Sequence, residues 1–474
     1  MTHHSNQSLY LGAARGLNTG ASEQPLLLPA HHLTTHGVIL GMTGSGKTGL
    51  LTVMVEEALR SGVPVLMIDI KGDLPNLFLS FPSLDAHHLV PWVEAMATPG
   101  DARGPEALAE ALAEERRRAL ETWNLGDDAA LNFFETRQLR LITPGSTAGE
   151  GLHVLSALER HNTRWNDDPE AARSTLSAAI SLLLRLVGRD SDPARSREHV
   201  LLSVLAERRL QQGLPAELPA LPADLDQLPI TEIGALPVNR FLPKKERDAL
   251  AAALNSLLAS PSFATWRQGA TLDIDAWLRP SESPIGQPSR RRAPGVIVSV
   301  AHLDDEERSL VLGVLLEELL TWVRGLSGSR KLRALIVFDE VYGFLPPHPA
   351  NPPTKRPIVA LMKQARAFGV GVLIATQNPM DLDYRTLSNA GLWCIGRLQT
   401  DADRERVIDG LALGDKAADT LLDQTVQRLA PRWFVMRNIH LGPSPALLQP
   451  RYALSFLRGP MTRSELRMAA RRSG

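Results

Sequence analysis

A chain of 474 residues, 44% hydrophobic and 22% charged, has the composition of a folded globular protein with two or three packing units. Its formal net charge of −1 provides no global field for nucleic acid, and no apolar run approaches the roughly 20 residues of a membrane-spanning helix. The single cysteine, Cys394, excludes an intramolecular disulfide framework, so we expect a cytoplasmic protein without membrane attachment.

The first stretch of alternating strands and helices lies near the N-terminus. The run GVILG (37–41) predicts a buried strand, and TGLLTVMVEEALRSG (48–62) predicts a helix that its last glycine ends. The run PVLMIDIKGD (64–73), opened by a proline, predicts a second strand. We therefore assign residues 1–85 to the first part of an α/β core.

The middle segment, residues 86–290, is predicted to be mainly helical. Apolar residues at helical spacing indicate helices in PEAARSTLSAAISLLLRLVG (from 169), SREHVLLSVLAERRLQQG (from 196) and KKERDALAAALNSLLAS (from 244). The Leu- and Pro-rich segment LPAELPALPADLDQLPI, from Leu214, predicts a non-helical path over the surface. We interpret the whole segment as a helical insertion into one α/β domain.

Alternation resumes in the second part of the core, residues 291–440. Strands are predicted in GVIVSVAHL (from 295), ALIVFDE (from 334), VGVLIATQN (from 370) and GLWCIGRL (from 391), with helices between them. Repeated strands and helices with short connections indicate a mostly parallel sheet covered on both faces. The Arg-rich tail, residues 441–474, either contacts phosphates or is a solvated chain end.

The loop after the first strand, GMTGSGKT, satisfies the pattern G-x-x-x-x-G-K-[ST] of a phosphate-binding loop. Its glycines let backbone N–H groups face the phosphates, and the following helix directs its positive end toward them. In this pattern Lys47 contacts the β- and γ-phosphates, and Thr48 offers its hydroxyl to Mg²⁺. The predicted ATP-binding residues are Gly41, Thr43, Gly44, Ser45, Gly46, Lys47, Thr48 and Gly49.

Polar residues that end two other strands complete the predicted catalytic site. Asp339 is predicted to hold Mg²⁺ and Glu340 to polarise the attacking water, while Gln377 is predicted to sense the γ-phosphate. We expect the strand of Gln377 to lie between the loop strand and the acidic strand, which is the order of RecA-like P-loop NTPases. The chain has no Asn/Thr-Lys-x-Asp motif for guanine, so the predicted cofactors are ATP and Mg²⁺.

Together these segments resemble HerA-type helicase-like ATPases of the HerA and FtsK clade. The resemblance lies in HGVILGMTGSGKTGL, IDIKGD, ITPGSTAG, LIVFDEVYGFLPPHPANPPTK, the block from Lys363 to Arg404, and FLRGPMTR. It covers both core segments and implies Mg-dependent ATP hydrolysis on a RecA-like core. Only about 40 residues precede the loop, fewer than the β-barrel that helps seat a nuclease partner in HerA proteins requires, so we do not expect that mode of docking.

The resemblance also implies a ring, usually of six subunits, in which an arginine from one subunit enters the ATP site of the next. Arg366 and Arg397 occupy the matching positions, and each is either this catalytic arginine or a surface or packing residue. Asp69 and Lys71, in IDIKGD, either link the nucleotide state to the subunit boundary or belong to an ordinary turn at a strand end.

Two weaker patterns also bear on function. His31, His32 and His36 have partly metal-like spacing but lack a cysteine or carboxylate companion, so we expect no metal there. Lys355 and Arg356, in a Pro-rich stretch, either face the pore of a ring and contact DNA phosphates or lie on a plain surface loop.

The favoured function is that of an ATP-driven, ring-forming translocase that acts on double-stranded DNA through its backbone, because aromatic residues for stacking single strands are only 5% of the chain. The alternative is an ATP-controlled oligomeric scaffold that recruits or licenses a nuclease or other effector with little translocation. A monomeric kinase or nucleotide-processing enzyme fits less well, since it requires neither a sensing glutamine nor the long HerA-like block.

Overall fold

The computed structural model describes residues 8–17, 23–94, 103–159, 168–280, 292–377, 382–398, 400–411, 416–442 and 444–472. The strands are β1 (Ser8–Gly16), β2 (Gln24–Pro29), β3 (Gly37–Leu40), β4 (Val65–Asp69), β5 (Arg137–Ile142), β6 (Leu152–His153), β7 (Glu232–Ile233), β8 (Leu236–Pro237), β9 (Ala270–Thr271), β10 (Ala293–Ser299), β11 (Ala334–Phe338), β12 (Val370–Thr376), β13 (Leu392–Ile395), β14 (Phe434–Asn438) and β15 (Ala446–Pro450).

The helices fall between these strands along the chain. They are α1 (Lys47–Arg60), α2 (Pro105–Glu121), α3 (Asp127–Thr136), α4 (Ser156–Glu159), α5 (Pro169–Leu186), α6 (Arg197–Gln211), α7 (Ala220–Asp226), α8 (Val238–Phe241), α9 (Lys244–Ala259), α10 (Ile274–Leu278), α11 (Asp305–Arg324), α12 (Lys355–Gln364), α13 (Tyr384–Leu387), α14 (Asp401–Leu411), α15 (Lys416–Arg428) and α16 (Arg463–Arg472).

One sheet of eleven strands organises the molecule, in the order β2-β1-β15-β14-β13-β3-β12-β11-β4-β10-β5. The seven strands from β13 to β5 run parallel, and the pairs from β2 to β13 at the other end are antiparallel. The predicted mostly parallel sheet is confirmed. The predicted place of the Gln377 strand is also found, because β12 pairs with β3 on one side and with β11 on the other.

Helices cover both faces of the sheet because the parallel strands are apolar on both faces. In β3, Val38 and Leu40 belong to one buried cluster and Ile39 belongs to the other. The first cluster contains residues of α5, α6, α9 and α11, and the second contains residues of α1, α2 and α3. A strand buried on both faces reads as a continuous apolar run, which is why these strands were predictable.

The middle segment packs on the core sheet and shares its apolar cluster. Helix α5 packs against α11, and its leucines lie in the same cluster as Val38 of β3. The segment also contributes β5, which pairs in parallel with β10 and ends the main sheet, a strand that the helical prediction omitted. A strand of six residues at a sheet edge, with exposed and buried positions mixed, carries a weak periodic signal.

The prediction for the Leu- and Pro-rich segment from Leu214 was wrong in two respects. It contains the helix α7, with Pro222 near its first turn, where a missing N–H costs no intrahelical hydrogen bond. Leu218, Leu221 and Leu225 are buried at 2% exposure or less, so the segment packs into the core and does not run over the surface.

A buried ion cluster ties α1 to the antiparallel end of the sheet. Arg451, directly after β15, is 1% exposed and donates from Nη1 to Glu56 Oε2 and from Nη2 to Glu57 Oε1, each at 3.0 Å. Both glutamates lie on α1 and are themselves buried. Arg451 Nε also donates to the carbonyl of Tyr10 in β1, at 3.1 Å. The cluster therefore joins the helix after the phosphate-binding loop to two strands.

The expectation of a solvated or phosphate-binding Arg-rich tail fails for its first part. The segment 441–474 supplies β15 to the sheet, and Arg451 is sequestered by Glu56 and Glu57. Arg458 forms an ion pair with Glu465 and has a side chain only 3% exposed. The charges of these two arginines are already matched, so exposed cations remain mainly on α16.

Among the described residues, every helix is either too short or too polar to cross a lipid bilayer.

Buried His36 connects the start of β3 to β12. His36 is 1% exposed, and its Nδ1 accepts a hydrogen bond from the backbone N–H of Val372 at 3.1 Å. Burial, reinforced by the positive charge of Arg366, lowers the pKa of His36 from 6.5 to about 4. The ring is therefore neutral at pH 7, as a hydrogen-bond acceptor at this position requires.

We expect Arg451→Met to lower the free energy of unfolding by about 3–5 kcal/mol, because Glu56 would remain buried without its cation and Glu57 would keep only Arg60. Urea unfolding followed by tryptophan fluorescence measures the change. Arg467→Met, at an exposed position of α16, is the matched control and is expected to change stability by less than about 0.5 kcal/mol. Equal effects of the two substitutions would contradict a structural role for the ion cluster.

His36 predicts a loss of stability in acid. A native pKa below the unfolded value means that protonation favours the unfolded state, so stability falls as the pH drops from about 6.5 toward 4. At pH 5 this effect of His36 lowers the free energy of unfolding by about 2 kcal/mol relative to its value at high pH. His36→Asn keeps an acceptor for the Val372 N–H and should narrow the difference in urea midpoint between pH 7.5 and pH 5. An unchanged difference would show that His36 is not responsible.

Candidate nucleotide-binding site

The predicted catalytic residues other than Arg366 lie at one edge of the sheet, which we call the nucleotide edge. It is formed by the carboxyl ends of β3, β12, β11 and β4, four strands that run parallel. The phosphate-binding loop follows β3, Gln377 follows β12, and Asp339 and Glu340 follow β11. A crevice beyond the carboxyl ends of parallel strands is where α/β proteins of this kind bind ligands.

The loop from Gly41 to Gly46 has a backbone that only glycine accommodates at two positions. A Cβ atom at Gly41 would lie 2.6 Å from Ser45 Oγ, and Gly46, with φ of 96°, precedes the first residue of α1. At Gly46 a Cβ would also lie 3.1 Å from the Cα of Arg432. Thr43 and Gly44 are exposed at the tip of the loop, while Thr48 and Gly49 are half-buried in the first turn of α1.

Lys47 points back over the loop. The residue is 7% exposed, and Nζ donates to the carbonyls of Gly41 and Met42 at 2.5 and 2.9 Å. Burial, together with the charge of Lys71, lowers the pKa of Lys47 to about 8, although Glu340 and Asp339 oppose this shift. A partly desolvated cation at the start of a helix is placed to bind phosphate oxygens.

Asp339 fits the role of a metal ligand by its surroundings. It is 2% exposed, and its Oδ2 has no hydrogen-bond partner among the described residues. Burial, and then the nearby charge of Asp69, raise the pKa of Asp339 to about 7. A buried carboxylate oxygen that lacks a donor is costly unless a cation binds it, so the donor set here fits Mg²⁺.

Glu340 is held by donors on both of its oxygens. Oε1 accepts the backbone N–H groups of Val341 and Tyr342 at 3.1 and 3.4 Å, and Oε2 accepts the backbone N–H of Gln377 at 3.3 Å. Lys71 Nζ lies 3.0 Å from the same Oε2. The side chain of Glu340 is only 9% exposed, so its orientation is well defined.

Gln377 connects the loop to the acidic strand. Its side-chain Oε1 accepts the hydroxyl of Thr43 at 2.6 Å, while its backbone N–H reaches Glu340. The residue thus contacts both the predicted phosphate-binding loop and the acid that is predicted to activate water. This position fits the predicted sensing role.

The segment IDIKGD divides between the two interpretations left open by the sequence. Asp69 belongs to the strand-end turn: it is fully buried, Oδ1 accepts the N–H of Gly72 at 2.9 Å, and Oδ2 accepts the hydroxyl of Ser299 at 2.6 Å. Lys71 instead directs its ammonium into the nucleotide edge, onto Glu340. Sequence spacing indicated the turn but could not show this ion pair.

The two candidate arginines lie at opposite edges of the sheet. Arg397 follows β13, and its carbonyl accepts the N–H of Met42 in the phosphate-binding loop at 2.9 Å, so it borders the nucleotide site of its own chain. Arg366 precedes β12 and therefore lies at the amino end of the parallel strands. Both side chains are exposed. Arg366 therefore lies at the edge of the sheet opposite the nucleotide edge.

The amino ends of the parallel strands form the edge opposite the nucleotide edge, which we call the far edge. Arg366 contributes to a cationic cleft of about 870 Å³ at this far edge. The lining contains no acidic residue and consists of His31, Thr34, Thr35, Gly328, Ser329, Arg330, Lys363, Arg366, Ala367 and His440. Arg330 and Lys363 are exposed, and among the described residues neither forms a salt bridge. The cleft is thus a concentrated, uncompensated positive surface.

Arg432 supports the loop and was not predicted from the sequence. Its N–H donates to the carbonyl of Ser45 at 2.9 Å, and its φ is 65°. Its guanidinium lies 3.4 Å from the ring centroid of Tyr452 and donates to the carbonyl of Pro450 at 3.0 Å. No local motif marks such a residue, because its contacts are all distant in sequence.

The histidines and the basic pair of the weaker patterns have structural contacts. His32 and His440 stack with their ring centroids 4.4 Å apart, and the His31, His32 and His36 group lies at the far edge, away from the nucleotide site. Lys355 is the first residue of α12 and lies 3.6 Å from the carboxylate of Asp383, so it does not stand on an open loop.

Comparison with known proteins agrees with this geometry. Residues 15–80 match the family model described as "Helicase HerA-like C-terminal", a range that includes the phosphate-binding loop, α1 and β4. A search of curated proteins found no significant match.

Solved structures match over nearly the whole chain. VirB4 of Thermoanaerobacter pseudethanolicus superposes with a TM-score of 0.50 at 12% identity, covering 93% of this chain and 96% of VirB4. The plasmid coupling protein TrwB, in complex with ADP and Mg²⁺, superposes with a TM-score of 0.48 at 14% identity, covering 95% of this chain and 96% of TrwB. The VirB4 match confirms the predicted RecA-like fold.

We expect Asp339→Asn to raise the melting temperature of the nucleotide-free protein at pH 8, because the substitution removes a buried charge whose Oδ2 has no donor. The same variant should lose the further stabilisation that MgADP provides to the wild type. Differential scanning fluorimetry with and without MgADP measures both effects. A variant that is less stable alone and still responds to MgADP would contradict the metal-ligand role.

Proposed function

We propose that this chain is a HerA-like P-loop ATPase that hydrolyses ATP with Mg²⁺. In this proposal, six subunits form a ring that moves along double-stranded DNA. The proposal depends above all on the convergence of Lys47, Asp339, Glu340 and Gln377 at one edge of the sheet. The HerA-like sequence blocks support DNA as the substrate.

The nucleotide phosphates bind to the loop from Gly41 to Thr48, where backbone N–H groups, the start of α1 and Lys47 provide positive charge. Thr48 and Asp339 would hold Mg²⁺, which would neutralise negative charge that develops on the phosphates. Glu340 orients a water and takes its proton as the water oxygen bonds to the γ-phosphorus and the bond to the leaving ADP breaks. Gln377 then relays the loss of the γ-phosphate to Thr43.

Arg366 is the residue that we assign to the ATP site of the neighbouring subunit. It lies at the far edge, too distant in the fold to serve its own phosphate-binding loop, within the cationic cleft that contains no acid. A head-to-tail contact that brings the nucleotide edge of one subunit to the cleft of the next would match negative phosphates with Arg366, Lys363 and Arg330. Arg397 borders its own site and would act within one subunit.

The first experiment is ATP hydrolysis by the purified protein with and without long linear duplex DNA, together with its mass in solution in the presence of ATP. We expect a ring whose hydrolysis rate rises several-fold with duplex, and no hydrolysis in Lys47→Ala or Glu340→Gln. A ring with a rate indifferent to DNA would contradict translocation and favour a scaffold that recruits an effector. A fully active monomer would contradict both functions.

We expect Arg366→Ala to reduce kcat by about 10³-fold or more, the contribution of an arginine supplied in trans to other P-loop NTPases. Mixing Arg366→Ala subunits with inactive Glu340→Gln subunits should restore activity. An Arg366→Ala subunit keeps its own Glu340, and a neighbouring Glu340→Gln subunit supplies the missing Arg366. A mixture of Arg397→Ala and Glu340→Gln subunits is the control and should stay inactive if Arg397 serves its own site. Restoration in the second mixture alone would contradict our assignment.

A further inference from the structure

We propose that Lys71 is a positioning residue that holds Glu340 in an unreactive state, and that displacement of Lys71 frees Glu340 to activate water. This inference rests on the proposed ATPase function and adds a control point to the same site. Lys71 lies in the turn after β4, outside the phosphate-binding loop and the acidic end of β11. The inference is carried by the ion pair between Lys71 Nζ and Glu340 Oε2 at 3.0 Å.

The hydrogen bonds of Glu340 leave its carboxylate without a free oxygen. Each oxygen accepts from two donors: Oε1 from the N–H groups of Val341 and Tyr342, and Oε2 from Lys71 and the N–H of Gln377. A general base must accept a proton from water at one of these oxygens. Since the three backbone donors belong to the strand ends themselves, Lys71 is the donor that a side-chain movement can remove.

The turn that carries Lys71 is rigid, whereas the lysine side chain is not. Asp69 fixes the turn by accepting the N–H groups of Gly72 and Leu74 and the hydroxyl of Ser299. Beyond this anchored backbone, the side chain of Lys71 is 26% exposed, compared with 9% for Glu340. Four rotatable bonds therefore let Nζ move while the turn stays in place.

The γ-phosphate of bound ATP is the anion that would compete with Glu340 for Lys71. The charge of Lys71 acts on Lys47 of the phosphate-binding loop and on the carboxylate of Asp339, so its ammonium lies within the electrostatic reach of the phosphate and metal positions. The γ-phosphate group carries about two negative charges, compared with one on a carboxylate, so Lys71 can transfer to it. Oε2 of Glu340 then becomes available to a water.

Steady-state ATP hydrolysis by Lys71→Met and Lys71→Gln tests the proposal. Without DNA, we expect both variants to raise kcat by about threefold or more with KM changed less than about twofold, because a constraint on the base is lost while binding is kept. Lys71→Arg should behave as the wild type, since it retains the cation. Lys245→Met, an exposed lysine on α9, is the matched control and should change neither constant.

A double variant shows whether any gain passes through Glu340. Adding Glu340→Gln to Lys71→Met should abolish hydrolysis altogether. A kcat that falls or stays constant in both neutral variants, with melting temperatures near that of the wild type, would overturn the proposal. So would a gain that survives in the double variant.

The test separates this inference from the proposed DNA function. If duplex DNA does not stimulate the wild type, translocation fails, but the DNA-independent kcat still decides the role of Lys71. If duplex stimulates the wild type and Lys71→Met is equally stimulated from an unchanged basal rate, translocation stands and the inference about Lys71 is overturned.

Discussion

The parallel alignment of β3, β12, β11 and β4 is the constraint on which the site depends. Parallel strands bring all their carboxyl ends to one edge, so residues far apart in sequence meet there without any specific attraction between them. The loop after β3, Glu340 after β11 and Gln377 after β12 become neighbours for this reason alone. The amino ends of the same strands form the opposite edge, so the sheet has two chemically different edges.

The antiparallel end of the sheet holds α1, the helix after the predicted phosphate-binding loop, in place. Helix α1 begins at Lys47, and Arg451 anchors its last turns through Glu56 and Glu57. Arg432, between β14 and the preceding helix, supports the loop itself through Ser45. Contacts from the C-terminal part of the chain therefore support both the predicted phosphate-binding loop and the last turn of α1.

The two edges of the sheet differ in their electrostatics. Asp339 and Glu340 bring carboxylates to the nucleotide edge, where they balance Lys47 and Lys71 at close range. The cationic cleft at the far edge has no such balance within the described residues, since its lining lacks acids. In the proposed function, phosphates bound at the nucleotide edge would complement the cations of this cleft in a head-to-tail assembly, in which one kind of contact repeats around a ring.

The sequence by itself determined the parallel strands β3, β4, β10, β11, β12 and β13, several of the long helices and the phosphate-binding loop pattern, because continuous apolar runs, helical periodicity and the glycine spacing of 41–48 are local signals. It also placed Asp339, Glu340 and Gln377 at strand ends. Only the tertiary structure decided that α7 is buried, that Arg451 is an internal cation, that Lys71 pairs with Glu340, and that Arg366 and Arg397 lie at opposite edges. Those features depend on which distant residues come together. Strand order and packing specify these contacts, whereas the spacing of residues along the chain does not.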